Sequence, residues 1–335
     1  MTVTQTAIGS DVVLEVRDLV VEITVHRRAP IRPVRGVSFE VRSAQRLGIV
    51  GESGSGKSLT ALSLMGLLPP RARIASGEVY LRGRELTGLP ERELAHVRGG
   101  QISTVYQDPM SSLNPLQTVG HQVIEAICAH EDVGRREARD RAVELLRDVG
   151  LPQPERRIDD HPHEFSGGMR QRVMIAMAIC ASPDVLIADE PTTALDVTTQ
   201  ARIMEMLEQI VEERRMGVIL ITHDLGLAAA FCDDIHVMYG GRIVESGRAT
   251  SVLREPVHPY SEALIESICG LDRDVDRPIA AISGHPPLPN ELPPGCPFHP
   301  RCAYAQEICA REAPRPIEVR GHLAECHFPV GGARP

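Results

Sequence analysis

From residue 11 to 43 apolar and polar positions alternate, as in VLEVRDLVVEI, which predicts strands of an antiparallel layer with one buried face. A short apolar run, Leu47 to Val50, then enters a glycine-rich turn, and LTALSLMGLL after it has the spacing of a helix. GEVYLRGREL predicts a short hairpin. From Asp108 to about Pro183 the period changes: TVGHQVIEAICAH and REARDRAVELLRDVGL repeat apolar residues at i, i+3 and i+4, so this segment is expected to be helical. Residues 184 to 240 return to alternating strand and helix, the pattern of an α/β fold with a parallel sheet. IHVMYGGRIVESG predicts two strands joined at Gly240-Gly241. From about 271 the texture changes. PPLPNELPPGCP excludes helix and central strand and predicts an appended tail held by something other than a large core.

Composition narrows the classes. The chain has 335 residues and a formal net charge of −9, so no global basic field favours nucleic acid. Aromatic residues make up 3% and Trp is absent, which argues against a base-stacking platform. MTVTQTAIGSDVVLEV has no basic segment followed by an apolar stretch, so no signal peptide is expected. No apolar run approaches the ~18 residues of a membrane-spanning helix. Any membrane role is therefore expected to run through a partner. Cys128, Cys180, Cys232 and Cys269 lie in apolar or helical surroundings and are expected to be small buried hydrophobes.

Two segments carry phosphate chemistry. GESGSGKS, Gly51 to Ser58, fits G-x-x-x-x-G-K-[ST] between a strand and a helix. The glycines let consecutive N–H groups point at phosphate oxygens, and the helix N-terminus adds partial positive charge. Lys57 is expected to reach the β- and γ-phosphates, and the Ser58 hydroxyl to ligate Mg²⁺. Downstream, DVLIADE is a buried-strand pattern ending in two acids. Asp189 is expected to hold Mg²⁺, and Glu190 to orient or deprotonate the attacking water. Between them EFSGGMRQRVMIAMAI offers a second anion site, with Ser166 as N-cap and two glycines baring the first turn. One active site does not need two such termini, so this one is expected to serve the nucleotide of another subunit. VILITHD is a strand ending in His223, positioned to contact a γ-phosphate.

In this order the motifs resemble the nucleotide-binding subunits of ABC transporters: a Walker A loop, a Q-loop at Gln107, the signature FSGGM, Walker B, a D-loop with Asp196 and a switch at His223. The resemblance implies a P-loop ABC nucleotide-binding domain with a parallel-sheet core, an antiparallel β subdomain and a helical subdomain at about 108–183. It implies catalytic roles for Glu190, His223, Gln107 and Lys57, and Mg²⁺ held by Ser58, Gln107 and Asp189. Nucleotide contacts would come from Gly51, Ser53, Gly54, Ser55, Gly56, Lys57, Ser58, Leu59 and Asp189 of one subunit. Ser166, Gly167, Gly168 and Asp196 of the other would complete the site. One departure stands out. The family stacks adenine on an aromatic residue where this chain has Ile23, with Val25 or His26 as substitutes. Weaker or less selective base binding is expected.

The tail raises a separate question. Cys296, Cys302, Cys309 and Cys326 are spaced C-x5-C-x6-C-x16-C, a poor match to zinc ribbons, with His299, His322 and His327 nearby. Spacing alone leaves zinc, a [4Fe–4S] cluster and no metal all open. HPYSEAL and GCPFHPRCAYAQEIC resemble the C-terminal extension of oligopeptide and dipeptide permease ATPases. That resemblance favours a structural [4Fe–4S] cluster, with Zn²⁺ as the alternative. It also implies residues 1–265 as cassette and 266–335 as extension. The implied protein is the ATP-hydrolysing subunit of a di- or oligopeptide importer, peripheral at the cytoplasmic face of the inner membrane. Its partners would be a sister ATPase, two membrane permease subunits and, indirectly, a substrate-binding protein. A nickel or other small-solute importer and a soluble ABC ATPase are the alternatives.

Overall fold

The computed structural model describes residues 11–26, 29–193, 195–267 and 282–331. Cys269 lies outside them. The chain forms two compact units, the first from residues 1–13, 41–45 and 88–219 and the second from 14–40, 46–87 and 220–335. No helix among the described residues is long and apolar enough to cross a membrane.

In the first unit two parallel strands, Ile102–Val105 and Val185–Asp189, pair from Ile102↔Val185 to Val105↔Ala188. Val185 to Ala188 are almost wholly buried, which explains their continuous apolar run. The segment with helical periodicity forms the helices Val119–His130, Arg135–Asp148 and Gly167–Ile179, with shorter turns between them. Thr118 caps the first by accepting from the His121 N–H. The second helix buries one apolar stripe, Ala138, Ala142, Leu145 and Leu146, whereas the third is buried on every side from Val173 to Ala176. An 18-residue helix, Val197–Arg214, follows Walker B, and Asp196 caps it.

The second unit holds the antiparallel layer read from the alternation. Its order is Ile31–Arg42, Val12–Ile23, Ala72–Leu81, Arg84–Glu85. Beside it, Arg46–Val50 runs parallel to Asp234–Tyr239, which turns back into Arg242–Arg248. The turn is the Gly240-Gly241 pair, at φ 53° and 81°. Both central residues of such a two-residue hairpin need positive φ, which is why glycine sits there.

The Pro-dense stretch 286–297 forms neither helix nor strand, but the tail beyond it has elements the sequence did not predict. It contains a short helix, Glu307–Arg311, and two strands, Pro316–Val319 and His322–Glu325. The second strand pairs with Arg242–Arg248 and so lengthens the sheet, with Ala324 opposite Glu245. The prolines fall mainly before these elements, which is why a Pro-dense lead-in masked them. Phe298 is 2% exposed and packs edge-on against Tyr239 and Tyr260, with ring centroids 5.3 Å from each. Apolar burial and strand pairing therefore both hold the tail. Beneath it Glu245, fully buried, accepts from the Val257 and His258 N–H groups at 3.0 and 2.8 Å and meets His322 Nδ1 at 2.8 Å.

The four tail cysteines do not form a metal centre. Among the described residues no group of three or more His, Cys, Asp or Glu side chains could hold a metal ion. The expectation of a [4Fe–4S] cluster or zinc on Cys296, Cys302, Cys309 and Cys326 is overturned. The thiols line a cavity of about 20 Å³ with Phe298, Tyr304 and Phe328. Burial pushes Cys296 up to about 11 and Cys326 up to about 12, and raises Cys302. The histidines have other partners: His322 meets Glu245, His299 the Cys296 carbonyl and His327 the Glu312 carbonyl. Of the scattered cysteines, Cys180 and Cys232 are buried as expected, whereas Cys128 is exposed and lines an open cleft on its helix.

Candidate nucleotide site

In the second unit, Arg46–Val50 delivers the chain into the phosphate loop, and Lys57–Leu64 takes it out as a helix. Two glycines are dictated by space as well as by backbone angle. A Cβ on Gly51 (φ 153°) would lie 2.2 Å from the Met238 carbonyl oxygen, and one on Gly56 (φ 107°) 2.5 Å from that of Pro33. The helix ladder begins with Thr60 N–H to the Gly56 carbonyl. The N–H groups of Ser58 and Leu59 therefore stand in the first turn, where no intrahelical acceptor exists. Lys57 is 7% exposed and donates to the Gly51 and Glu52 carbonyls at 2.7 and 3.0 Å, while Ser53, Gly54 and Ser58 face solvent. Ser55 is buried, and its carbonyl takes the Gly241 N–H at 3.0 Å. A curled backbone, a first turn and a lysine on the loop suit a polyphosphate. His223 is exposed at the end of Gly217–Thr222, and Asp224 beside it caps the next helix.

In the first unit, Glu190 follows Asp189 at the buried strand's C-terminal end with φ 47°. Its Oε2 accepts from Gln107 Nε2 at 2.8 Å and from Thr193 Oγ1 at 3.0 Å. Two residues read separately in the sequence, 83 positions apart, are thus joined at the carboxylate assigned to water. Ser166 caps the signature helix, accepting from Met169 N–H at 3.4 Å. Gly167 and Gly168 pack against Leu195 and Thr199, so the signature lies against the D-loop of the same chain. Thr199 donates to Asp196 through both its hydroxyl and its N–H, holding that carboxyl below the usual range.

Sequence reasoning missed Thr193, Tyr260 and Arg301, which contact these motifs without belonging to them, and gave no role to Glu52 within the phosphate loop. Ile23 pairs with Ala72 in the antiparallel layer. Val25 lines a cleft of about 610 Å³ with Ile31, Arg35, Pro289 and Leu292, and no aromatic side chain is among its walls.

Residues 34–193 match the ABC transporter family and 244–309 the oligopeptide/dipeptide transporter C-terminal region. The ATP-binding cassette MJ0796, solved as a dimer bound to ADP and Pi, superposes with a TM-score of 0.63 at 28% identity, over 70% of this chain and 98% of that one. The fold is that of an ABC ATPase. The oligopeptide transport ATP-binding protein OppD of Salmonella typhimurium is 47% identical over 98% of this chain and 97% of its own. The dipeptide transport ATP-binding protein DppD of Haemophilus influenzae is 44% identical over 92% and 94%. The chain belongs to the family of oligopeptide and dipeptide transport ATP-binding proteins.

Proposed function

We propose that this chain is the ATP-hydrolysing subunit of an importer of di- and oligopeptides. The observation that carries this is the phosphate loop of an ABC ATPase in a chain similar to peptide-transport ATP-binding proteins from end to end. The loop's N–H groups and Lys57 bind the triphosphate. Ser58, Gln107 and Asp189 offer only oxygen donors, which suits Mg²⁺, and the ion would neutralise phosphate charge when bound. Glu190, oriented by Gln107 and Thr193, positions and deprotonates the attacking water. His223 contacts the γ-phosphate.

Ser166, Gly167 and Gly168, with Asp196, complete the nucleotide site of a second ATPase subunit in a head-to-tail pair, which we take to be a related sister chain. Two membrane permease subunits carry the solute and are fed by a substrate-binding protein. The ATPase sits peripherally on the cytoplasmic side of the membrane. Residues 1–265 serve as cassette and 266–335 as extension.

The test reconstitutes the ATPase with its permease subunits in vesicles and follows ATP hydrolysis and labelled tripeptide uptake together. Peptide-dependent uptake is expected, and Glu190→Gln should bind ATP while losing at least ~100-fold in turnover. Uptake of nickel but not peptide would overturn the cargo. Near-normal turnover of Glu190→Gln would remove Glu190 from its role.

A further inference from the structure

Glu52, the second residue of the phosphate loop, is held at each of its polar groups. Its N–H donates to the Tyr260 hydroxyl at 2.9 Å, and its carbonyl accepts from Lys57 Nζ at 3.0 Å. Its carboxylate takes both ends of the Arg301 guanidinium, Nη1 to Oε2 at 2.7 Å and Nη2 to Oε1 at 2.9 Å. Arg301 comes from the tail, 249 positions further on, and its side chain is 5% exposed. Its Nε donates to the Ser283 carbonyl, its Nη1 also reaches the Tyr239 hydroxyl, and the guanidinium lies over the Tyr239 and Phe298 rings. Every nitrogen of the fork is used, and the pairing raises its already high pKa further. Such a planar bidentate pair is specific to arginine.

A carboxylate within a loop built to hold a triphosphate is an electrostatic conflict. Left unpaired it would repel the ligand, and partial burial would weaken its screening by solvent. We propose that Arg301 is a positioning residue of the nucleotide site: it cancels the Glu52 charge and, with Tyr260, fixes the first half of the phosphate loop. The tail is then part of the ATP-binding machinery. This rests on the assignment of the loop to ATP.

The experiment measures binding of a fluorescent, non-hydrolysable Mg-ATP analogue to the full-length chain and to Arg301→Gln, Glu52→Gln and the double variant, with urea midpoints in parallel. Arg301→Gln exposes a negative charge and should weaken binding about 10-fold, Glu52→Gln should tighten it about 3-fold, and the double variant should return to within about 2-fold of the parent. A purely structural brace would weaken binding in both single variants, with no recovery in the double. That pattern, or no change in any variant, overturns the proposal. Should Arg301→Gln not fold, Arg301→Lys keeps the charge and loses the fork. It should cost stability while binding within about 3-fold of the parent, and a loss beyond about 10-fold would equally overturn it. If the parent itself binds no nucleotide, the assignment of the loop fails; if the parent binds and the variants do not order as stated, only the role of Arg301 fails.

Discussion

Glu190 adopts φ 47° at the end of a strand, a backbone region that costs a non-glycine residue about 1–3 kcal/mol. Hydrogen bonds from Gln107 and Thr193 to one carboxylate oxygen offset part of that cost and fix where the other oxygen points. Thr193→Val should therefore be nearly neutral for folding but lower turnover. Gly168 is constrained differently. A Cβ there would lie 2.5 Å from Thr199 Cγ2, and the Thr199 side chain cannot rotate away without breaking its hydroxyl bond to Asp196. Gly168→Ala should cost about 1–3 kcal/mol of stability by overpacking and displace Asp196. Thr199→Ser removes the offending methyl and keeps the hydroxyl, so the double variant should recover most of the loss. Urea unfolding with ATPase assays checks this; failure of Thr199→Ser to rescue would mean that Gly168 is required by the partner's nucleotide and not by packing.

At the scale of elements, helix caps tie the motifs to the fold, and one of them is a buried histidine. His258 is 1% exposed and caps Pro259–Glu266 by accepting the Tyr260 N–H on Nδ1 at 3.0 Å. Burial lowers its pKa from 6.5 to about 4. The unfolded chain then binds a proton that the folded chain refuses between these values, so stability is lost as pH falls through that window. Taken alone, this histidine should cost about 2 kcal/mol between pH 7.5 and 5. His258→Asn keeps a capping acceptor without titrating, and its urea midpoint should fall less over the same range; an equal fall would assign the pH dependence elsewhere. Elements of this kind differ in how far the sequence discloses them. The phosphate loop, the Walker B strand, the signature helix and the Gly240-Gly241 turn were legible because each is a local pattern whose period or glycine demand is visible within a dozen residues. The grip of Arg301 on Glu52 and of the Tyr260 hydroxyl on the same residue were not, because contacts across 249 and 208 positions leave no local mark. The tail thiols misled for the same reason: spacing counts cysteines but does not show Phe298, Tyr304 and Phe328 among them.

Over the whole molecule the chain passes between its two compact units five times, at residues 13/14, 40/41, 45/46, 87/88 and 219/220, so neither unit is a linear segment that could be excised. The tail is continuous in sequence but not separate in packing. It supplies the outer strand pair, His322 against buried Glu245, Phe298 between Tyr239 and Tyr260, and Arg301 on the phosphate loop. Truncation after Ser267 would bare those aromatic rings and leave Glu245 without its histidine. Burial of Phe298 alone is worth about 2–3 kcal/mol, a large share of the ~5–15 kcal/mol that holds a domain folded. A tail that merely decorates the cassette predicts unchanged nucleotide binding after truncation. The contacts described here predict a lower unfolding midpoint and loss of Mg-ATP binding, with increased hydrogen exchange concentrated at residues 46–64 and 234–266. Exchange confined to the new terminus, with binding intact, would show that the tail's grip on the loop is dispensable.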